Sequence, residues 1–462
     1  MVFGTYRPLT LAQSQIDAAT HSICPILDPW IPAELDRYLS GVRCGDWYGS
    51  VLTPNRVLRL LLLQATGPGT TFAQVVRQVW QTWRLLNFPE TRMPTRGALA
   101  HARGRFPECA LEMLFKSTVQ AAAALPEPQT GWPGRLLCAD GTPLLVPRSD
   151  SNLAHFNATR HQFGQAYWPR GLAVWLSRVS LHLIVGEYLG TSNEGDESVA
   201  PYLLGKHLQP GDLVLGDAHF GNYQTLATCG ARSAYYLMRA PGALHVADHI
   251  TRYYTPCDAN LVLRRTAYIA SRYSDLALPE TLSLRTLLFE IPSHDSLNGY
   301  ERAYFLTNLE RERFSWEQLN VWALMRWRQE TLNNDVKTFL DLGLIRSESP
   351  SGVRQEVLAH LCVSNIVHMI LQRVFPDRPE LGSFTAARDA LVQANEQLRV
   401  LPTAREEVEE CLDQTIRDQP LEFRPGRTEP RMKRPDRRIC PIFKTSRAAW
   451  HQLRKEAKQT QN

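Results

Sequence analysis

The 462 residues predict a multidomain chain: an α/β core interrupted by an all-β insertion, preceded by a helical N-terminal unit and followed by a helical, basic C-terminal region. Three observations carry this expectation. Helical apolar periodicity up to about residue 130 gives way to strand-like runs after the Pro126, Pro128 and Pro133 linker. Two short apolar runs each end in aspartate, at Asp140 and at Asp217. From about residue 240 to residue 308 the helical pattern disappears, and it resumes at Trp316. The boundaries that follow are 1–130 for the helical N-terminal unit, 131–239 and 311–345 for the core, 240–310 for the insertion, 346–420 for the C-terminal helices and 421–462 for a basic tail.

In the N-terminal unit, Thr53-Pro54 is a good cap and first-turn pair ahead of Val57 and Leu58. A second helix is expected over 72–86, after the Gly67-Pro68-Gly69 break, and a third over 98–106. The segment from Thr95 to Arg105 mixes small and basic residues, so Arg103 and Arg105 are candidates for DNA contact; an exposed helix with ordinary surface arginines fits as well. In the core, strands are expected over 135–140, with a continuation to 146 past a bend at Gly141, and over 172–179, 181–189, 212–217 and 233–239. Helices are expected over 197–207 and 223–228. Three strands, helix, strand, helix, strand is the order of a ribonuclease-H-like core. The insertion is expected to hold strands over 261–270 and 283–291, and the C-terminal helices run over 353–374 and 383–398.

Ligands in an α/β sheet sit at the carboxyl ends of neighbouring strands, so Asp140 and Asp217 are placed to converge; taken singly, each also reads as a turn-forming or capping Asp. A third carboxylate, Glu330, lies on a helix where Arg326 falls roughly 40° and Lys337 roughly 20° from it at about 100° per residue. One face thus presents cation, carboxylate, cation, a pattern that surface ion pairs also produce. His219, close behind Asp217, reads as an oriented neighbour or phosphate contact. Glu194, Asp196 and Glu197 read as charges capping a helix N-terminus.

These residues resemble a known family. Asp140-Gly141-Thr142 after one strand, Gly216-Asp217 with Phe220 after another, and Arg-x3-Glu-x6-Lys from Arg326 to Lys337 look like the DDE transposases of the insertion-sequence-4 family. Leu306 to Leu309, Arg346 to Glu356 and Gly426 to Arg434 add to the likeness, which covers about residues 95 to 447. It departs at Ala323, where the family signature has tyrosine, and so leaves open how DNA ends would be held.

The resemblance implies a cut-and-paste transposase. Asp140, Asp217 and Glu330 would hold two Mg2+ ions, with Mn2+ able to substitute, and Arg326 and Lys337 would bind flanking phosphates. Its partners would be double-stranded DNA, as terminal inverted repeats and target, and a second copy of the chain. A catalytically silent DNA-binding regulator and a nuclease of the same fold that cuts without joining are the alternatives.

Charge and composition agree with such a role. Net charge is +5, yet the segment from Arg424 onward holds twelve Lys or Arg against three acids, a net +9. Arg427, Arg431, Lys433 and Arg434 are its candidate DNA contacts, a solvated tail being the plainer reading. Nine cysteines, an odd number without a Cys-x2-Cys pair, support neither a disulfide framework nor a structural zinc site, and most fit small core residues. The N-terminal residues lack the pattern of a signal peptide and no apolar run is read as a membrane span, so the expected location is the bacterial cytosol or nucleoid.

Overall fold

Thr53 accepts a hydrogen bond from the Arg56 amide at 3.4 Å and Pro54 opens the helix behind it, so the first helix expected from sequence starts where its cap chemistry places it. The computed structural model describes residues 23–42, 52–85, 93–126, 130–161, 164–292 and 300–421. They form two units, one from described residues of 23–126, 335–342 and 351–421, the other from 130–334 and 343–350.

The helical unit begins with α1 (Ala33–Gly41), α2 (Pro54–Thr66), α3 (Phe72–Leu85), α4 (Arg96–Arg105) and α5 (Glu108–Ala123). Arg59 joins α2 to the preceding turns by bonds to Asp28 (2.7 Å) and Asp36 (3.2 Å).

Among the described residues, the sheet unit is built on a nine-stranded sheet, beside which Arg160–His161 and Gly164–Gln165 pair as a short separate ribbon. The strands of the sheet are β1 (Leu136–Leu145), β2 (Arg170–Arg178), β3 (Leu183–Thr191), β4 (Leu213–Gly216), β5 (Tyr235–Arg239), β6 (Ile250–Thr255), β7 (Asp258–Arg264), β8 (Thr281–Pro292) and β9 (Tyr300–Thr307). Their order is β3-β2-β1-β4-β5-β9-β8-β7-β6. β2 runs antiparallel to both β1 and β3, while β4 and β5 run parallel to β1. The unit's helices are α6 (Asp150–Phe156), α7 (Asp196–His207), α8 (Tyr223–Ala231), α9 (Ala267–Arg272), α10 (Trp316–Met325) and α11 (Trp327–Asn334). The expected order of three strands, helix, strand, helix, strand is found in β1, β2, β3, α7, β4, α8 and β5.

Helix returns in the helical unit with α12 (Pro350–Val374), α13 (Phe384–Val400) and α14 (Arg405–Arg417). α12 is long and apolar enough to cross a membrane by length and composition, contrary to the sequence expectation, but 89% of its apolar window is buried as the core of this unit.

Three further expectations change. The strand expected over 261–270 ends at Arg264, because Thr266 caps α9 by accepting from the Ile269 amide at 3.2 Å. The insertion is therefore not all β. β9 pairs with β5, as Leu306 opposite Met238 and Thr307 opposite Leu237, so the insertion prolongs the core sheet. The helix expected to run from Trp316 to about Leu340 is broken at Arg326 and passes into a π-helical turn, Asp335–Phe339.

One face of the sheet is packed by α10. Leu136, Cys138, Leu213, Leu215 and Leu237 meet Leu319, Trp322 and Ala323 there, with Phe289 and Phe305 from the insertion in the same cluster. Trp322 is held by its indole N–H to the Thr130 carbonyl at 2.8 Å and packs edge-on against Trp132 at 5.4 Å. Cys24, Cys138, Cys229 and Cys362 are buried, as expected of small core residues, whereas Cys109 and Cys411 are exposed.

Candidate active site

The parallel ladder between β1 and β4 ends at Cys138 opposite Leu215. Two residues further along each chain stand Asp140 and Asp217. Side chains two apart on a strand share a face. Within β1, Asp140 therefore leaves the sheet on the side of Cys138, which is the side that α10 covers. Asp140 continues in β1 opposite Trp175 of β2, so β1 is one strand rather than two segments bent at Gly141. Asp217 has left β4 and folds into a turn, its carboxylate accepting from the His219 amide at 2.8 Å and its carbonyl from Phe220 at 3.1 Å.

Glu330 comes to the same place on α11. Its carboxylate is joined to Arg326 at 3.1 Å, the four-residue pair expected of the helix surface. Asp217, His219, Arg326 and Glu330 line one cavity of about 490 Å3 together with Arg239, Glu301, Phe305, Ala323 and Trp327. Across it, Arg239 and Glu301 form an ion pair of 2.8 Å. Ala323, at the position of the signature tyrosine, contributes only a methyl group to the wall. The nearest large rings on the lining are those of Trp327 and Phe305.

The charges are crowded. Burial, then the negative charge of Asp217, pushes the Asp140 carboxyl up to about 6, against the opposing pull of Arg326 and a hydrogen bond from Asn333. The buried Cys138 thiol, raised well above its ordinary range chiefly by burial, is acted on by all four groups, Asp140, Arg326, Asp217 and Glu330. A site with more carboxylate than cation suits a divalent ion, whose charge relieves this repulsion and whose preference is for such hard oxygen donors. The residues present fit that group.

Asn333 was not singled out by sequence, being one polar residue among several on its helix. Its side-chain amide donates to Asp140 Oδ2 at 2.5 Å. Asp196, read from sequence as a capping charge, does lie in the first turn of α7, but a Cβ on Gly141 would collide with its carboxylate. By strand alternation that space lies on the opposite side of β1 from the Asp140 side chain. Only the glycine after Asp140 hints at it in the sequence. Glu194, by contrast, holds the turn after β3 through Tyr188 and the Thr191 amide.

Other sequence candidates stand elsewhere. Arg103 is turned inward in the helical unit, reaching Glu356 at 3.4 Å and the Gly352 carbonyl at 3.2 Å with its guanidinium 5.3 Å from the Phe72 ring centre, so it is a packing residue rather than a presented cation. Arg105 is exposed on α4. Lys337 lies in the π-helical turn and belongs to the helical unit; the constant 100° step that set it on the Glu330 stripe does not hold through such a turn. Arg427, Arg431, Lys433 and Arg434 lie outside the described residues.

Carboxylates gathered where the parallel ladder of an α/β sheet ends, with an arginine at the rim of a cavity, make a crevice for a charged ligand. The chain belongs to the DDE transposase family: the family described as "Transposase DDE domain" matches residues 131–366, and the chain is an enzyme of that class. Among solved structures it is similar to the piggyBac transposase synaptic complex with hairpin DNA, at 9% identity and a TM-score of 0.39 over 89% of this chain and 84% of that one. No curated protein matches.

Proposed function

We propose that the chain is a cut-and-paste DNA transposase of the insertion-sequence-4 group, with Asp140, Asp217 and Glu330 as its metal-binding carboxylates on a ribonuclease-H-like core formed by β1 to β5. The observation that supports this reading is that the parallel ladder ends two residues short of Asp140 and Asp217, with Asp217 and Glu330 lining one cavity beyond it. Magnesium ions, when bound, would lower the barrier to in-line attack on a phosphodiester by stabilising the entering and leaving oxygens. Asp140 and Asp217 would hold them from the sheet and Glu330 from α11. Arg326, held against Glu330, would contribute positive charge beside the scissile phosphate, where charge accumulates. His219, exposed at the cavity rim, would contact a flanking phosphate.

The substrate is double-stranded DNA, first the transposon's terminal inverted repeats and then the target, handled by a pair of chains in the bacterial cytosol. The exposed Arg105 and the basic segment from Arg424 supply charge that suits phosphate contact.

With a donor-end duplex and Mg2+ or Mn2+, Asp140→Ala, Asp217→Ala and Glu330→Ala are each expected to abolish cleavage while end binding persists. Normal cleavage by any of the three would remove it from the site. Nicked products without joined products from the parent protein would reassign it to a nuclease.

A further inference from the structure

We propose that Asn333 is the positioning residue of this site: it locks Asp140 to the helix that carries Glu330, and so sets the spacing of the two carboxylates. The proposal rests on reading Asp140 and Glu330 as metal ligands. α11 is joined to the sheet at this point by polar contacts. Gln329 and Asn333, four apart and so on one face, both point at β1 and β2. Asn333 Nδ2 donates to Asp140 Oδ2 at 2.5 Å; its Oδ1 accepts from Trp175 Nε1 at 2.7 Å and from Gln329 Nε2 at 3.3 Å. Ser177 in turn bonds to Gln329 Oε1. Trp175, Ser177 and Gln329 are all but fully buried.

The orientation follows from chemistry. An indole N–H can only donate, so the Asn333 atom facing Trp175 is the oxygen, and the amide nitrogen must face Asp140. Apolar packing would leave α11 free to rotate or slide by fractions of an ångström. Directional bonds at two positions one turn apart do not. Glu330 lies between Gln329 and Asn333 in sequence and shares their helix, so fixing those two fixes its backbone relative to Asp140. Trp175 stands opposite Asp140 in the β1–β2 register, so the strand pair that holds the carboxylate also holds its lock.

The experiment uses the full chain and Mn2+ as probe, without DNA. Calorimetric Mn2+ affinity is measured for the parent, Asn333→Leu, Trp175→Phe, the double variant and Asp140→Asn, with thermal unfolding as a control. Asn333→Leu, which keeps the branching at Cγ and removes the bonds, is expected to weaken Mn2+ binding roughly ten- to a hundredfold. Trp175→Phe is expected to weaken it several-fold and to add nothing in the Asn333→Leu background, because it acts through Asn333. A folded Asn333→Leu protein with parental affinity would overturn the proposal, as would additive losses in the double variant. Should Asn333→Leu fail to fold, Trp175→Phe decides, and parental affinity there overturns it. Undiminished binding by Asp140→Asn would instead overturn the reading of the metal site itself.

Discussion

Asp140 carries opposing demands that a simple measurement separates. Its carboxyl is raised to about 6 from 3.8, chiefly by burial and by Asp217. A carboxyl raised on folding binds its proton more tightly in the folded state. Its favourable contribution is therefore complete below the unfolded value and is lost as pH rises through about 6. In chelator, the protein is expected to lose stability between pH 4 and pH 7, and Asp140→Asn to regain on the order of 2 kcal/mol at pH 7 and nothing at pH 4. Thermal unfolding of both proteins across that range checks it; equal stabilities at pH 7 would mean the carboxylate is not strained. Metal binding should release protons near pH 6, since the ligand must be ionised. At the cavity wall, Ala323→Tyr would place a ring among Phe305, Arg326 and Trp327. If this space receives part of the DNA end, the variant should alter end cleavage while leaving Mn2+ affinity unchanged.

At the scale of elements, the insertion hairpins are joined to the loop after β9 by one charge cluster. Asp258 of β7 accepts from Arg285 of β8 at 2.6 Å and from Arg311 at 2.7 Å, with Asp258 and Arg285 both buried. The two arginines hold the Asp258 carboxyl below its ordinary range in spite of burial. Asp258→Ala would leave a buried guanidinium unpaired and is expected to cost about 3–5 kcal/mol, read as a lowered unfolding midpoint. A loss under about 1 kcal/mol would mean that water replaces the partner. Much of this architecture was legible. Thr53 caps its helix by accepting from the third amide onward, a local signal that survives folding, whereas the same chemistry at Thr266 was hidden inside an apparent strand. The apolar runs leading into Asp140 and Asp217 were legible because a strand buried on both faces is a continuous apolar run. What escaped depends on partners distant in sequence. Asn333 matters because of Trp175, Arg103 is turned inward because of Glu356, and β9 joins β5 across the insertion. The break at Arg326 and the π turn at Asp335 escaped too, since neither has a proline or glycine to announce it.

For the whole molecule, two units with separate cores imply that unfolding is not a single step. Calorimetry of the full chain is expected to give more than one transition, and Asp258→Ala to move only the one that belongs to the sheet unit. A single transition shifted as a whole would show that the cores unfold together. Among the described residues the chain passes between the units three times from residue 334 onward, so neither is a contiguous stretch of sequence.

The pairing of β9 with β5 bears on how such a protein could be shortened or recombined. A module spliced into a loop can be trimmed or exchanged with little effect on its host. Here the insertion supplies the neighbour of a strand one place from the one that leads into Asp217, and its own outermost strand, β6, presents a largely exposed edge. Excising residues 240–310 would uncover the hydrogen-bonding edge of β5, a template for pairing with other chains. A miniaturised version would then aggregate before its chemistry could be assayed, and lineages carrying this insertion would find it hard to discard.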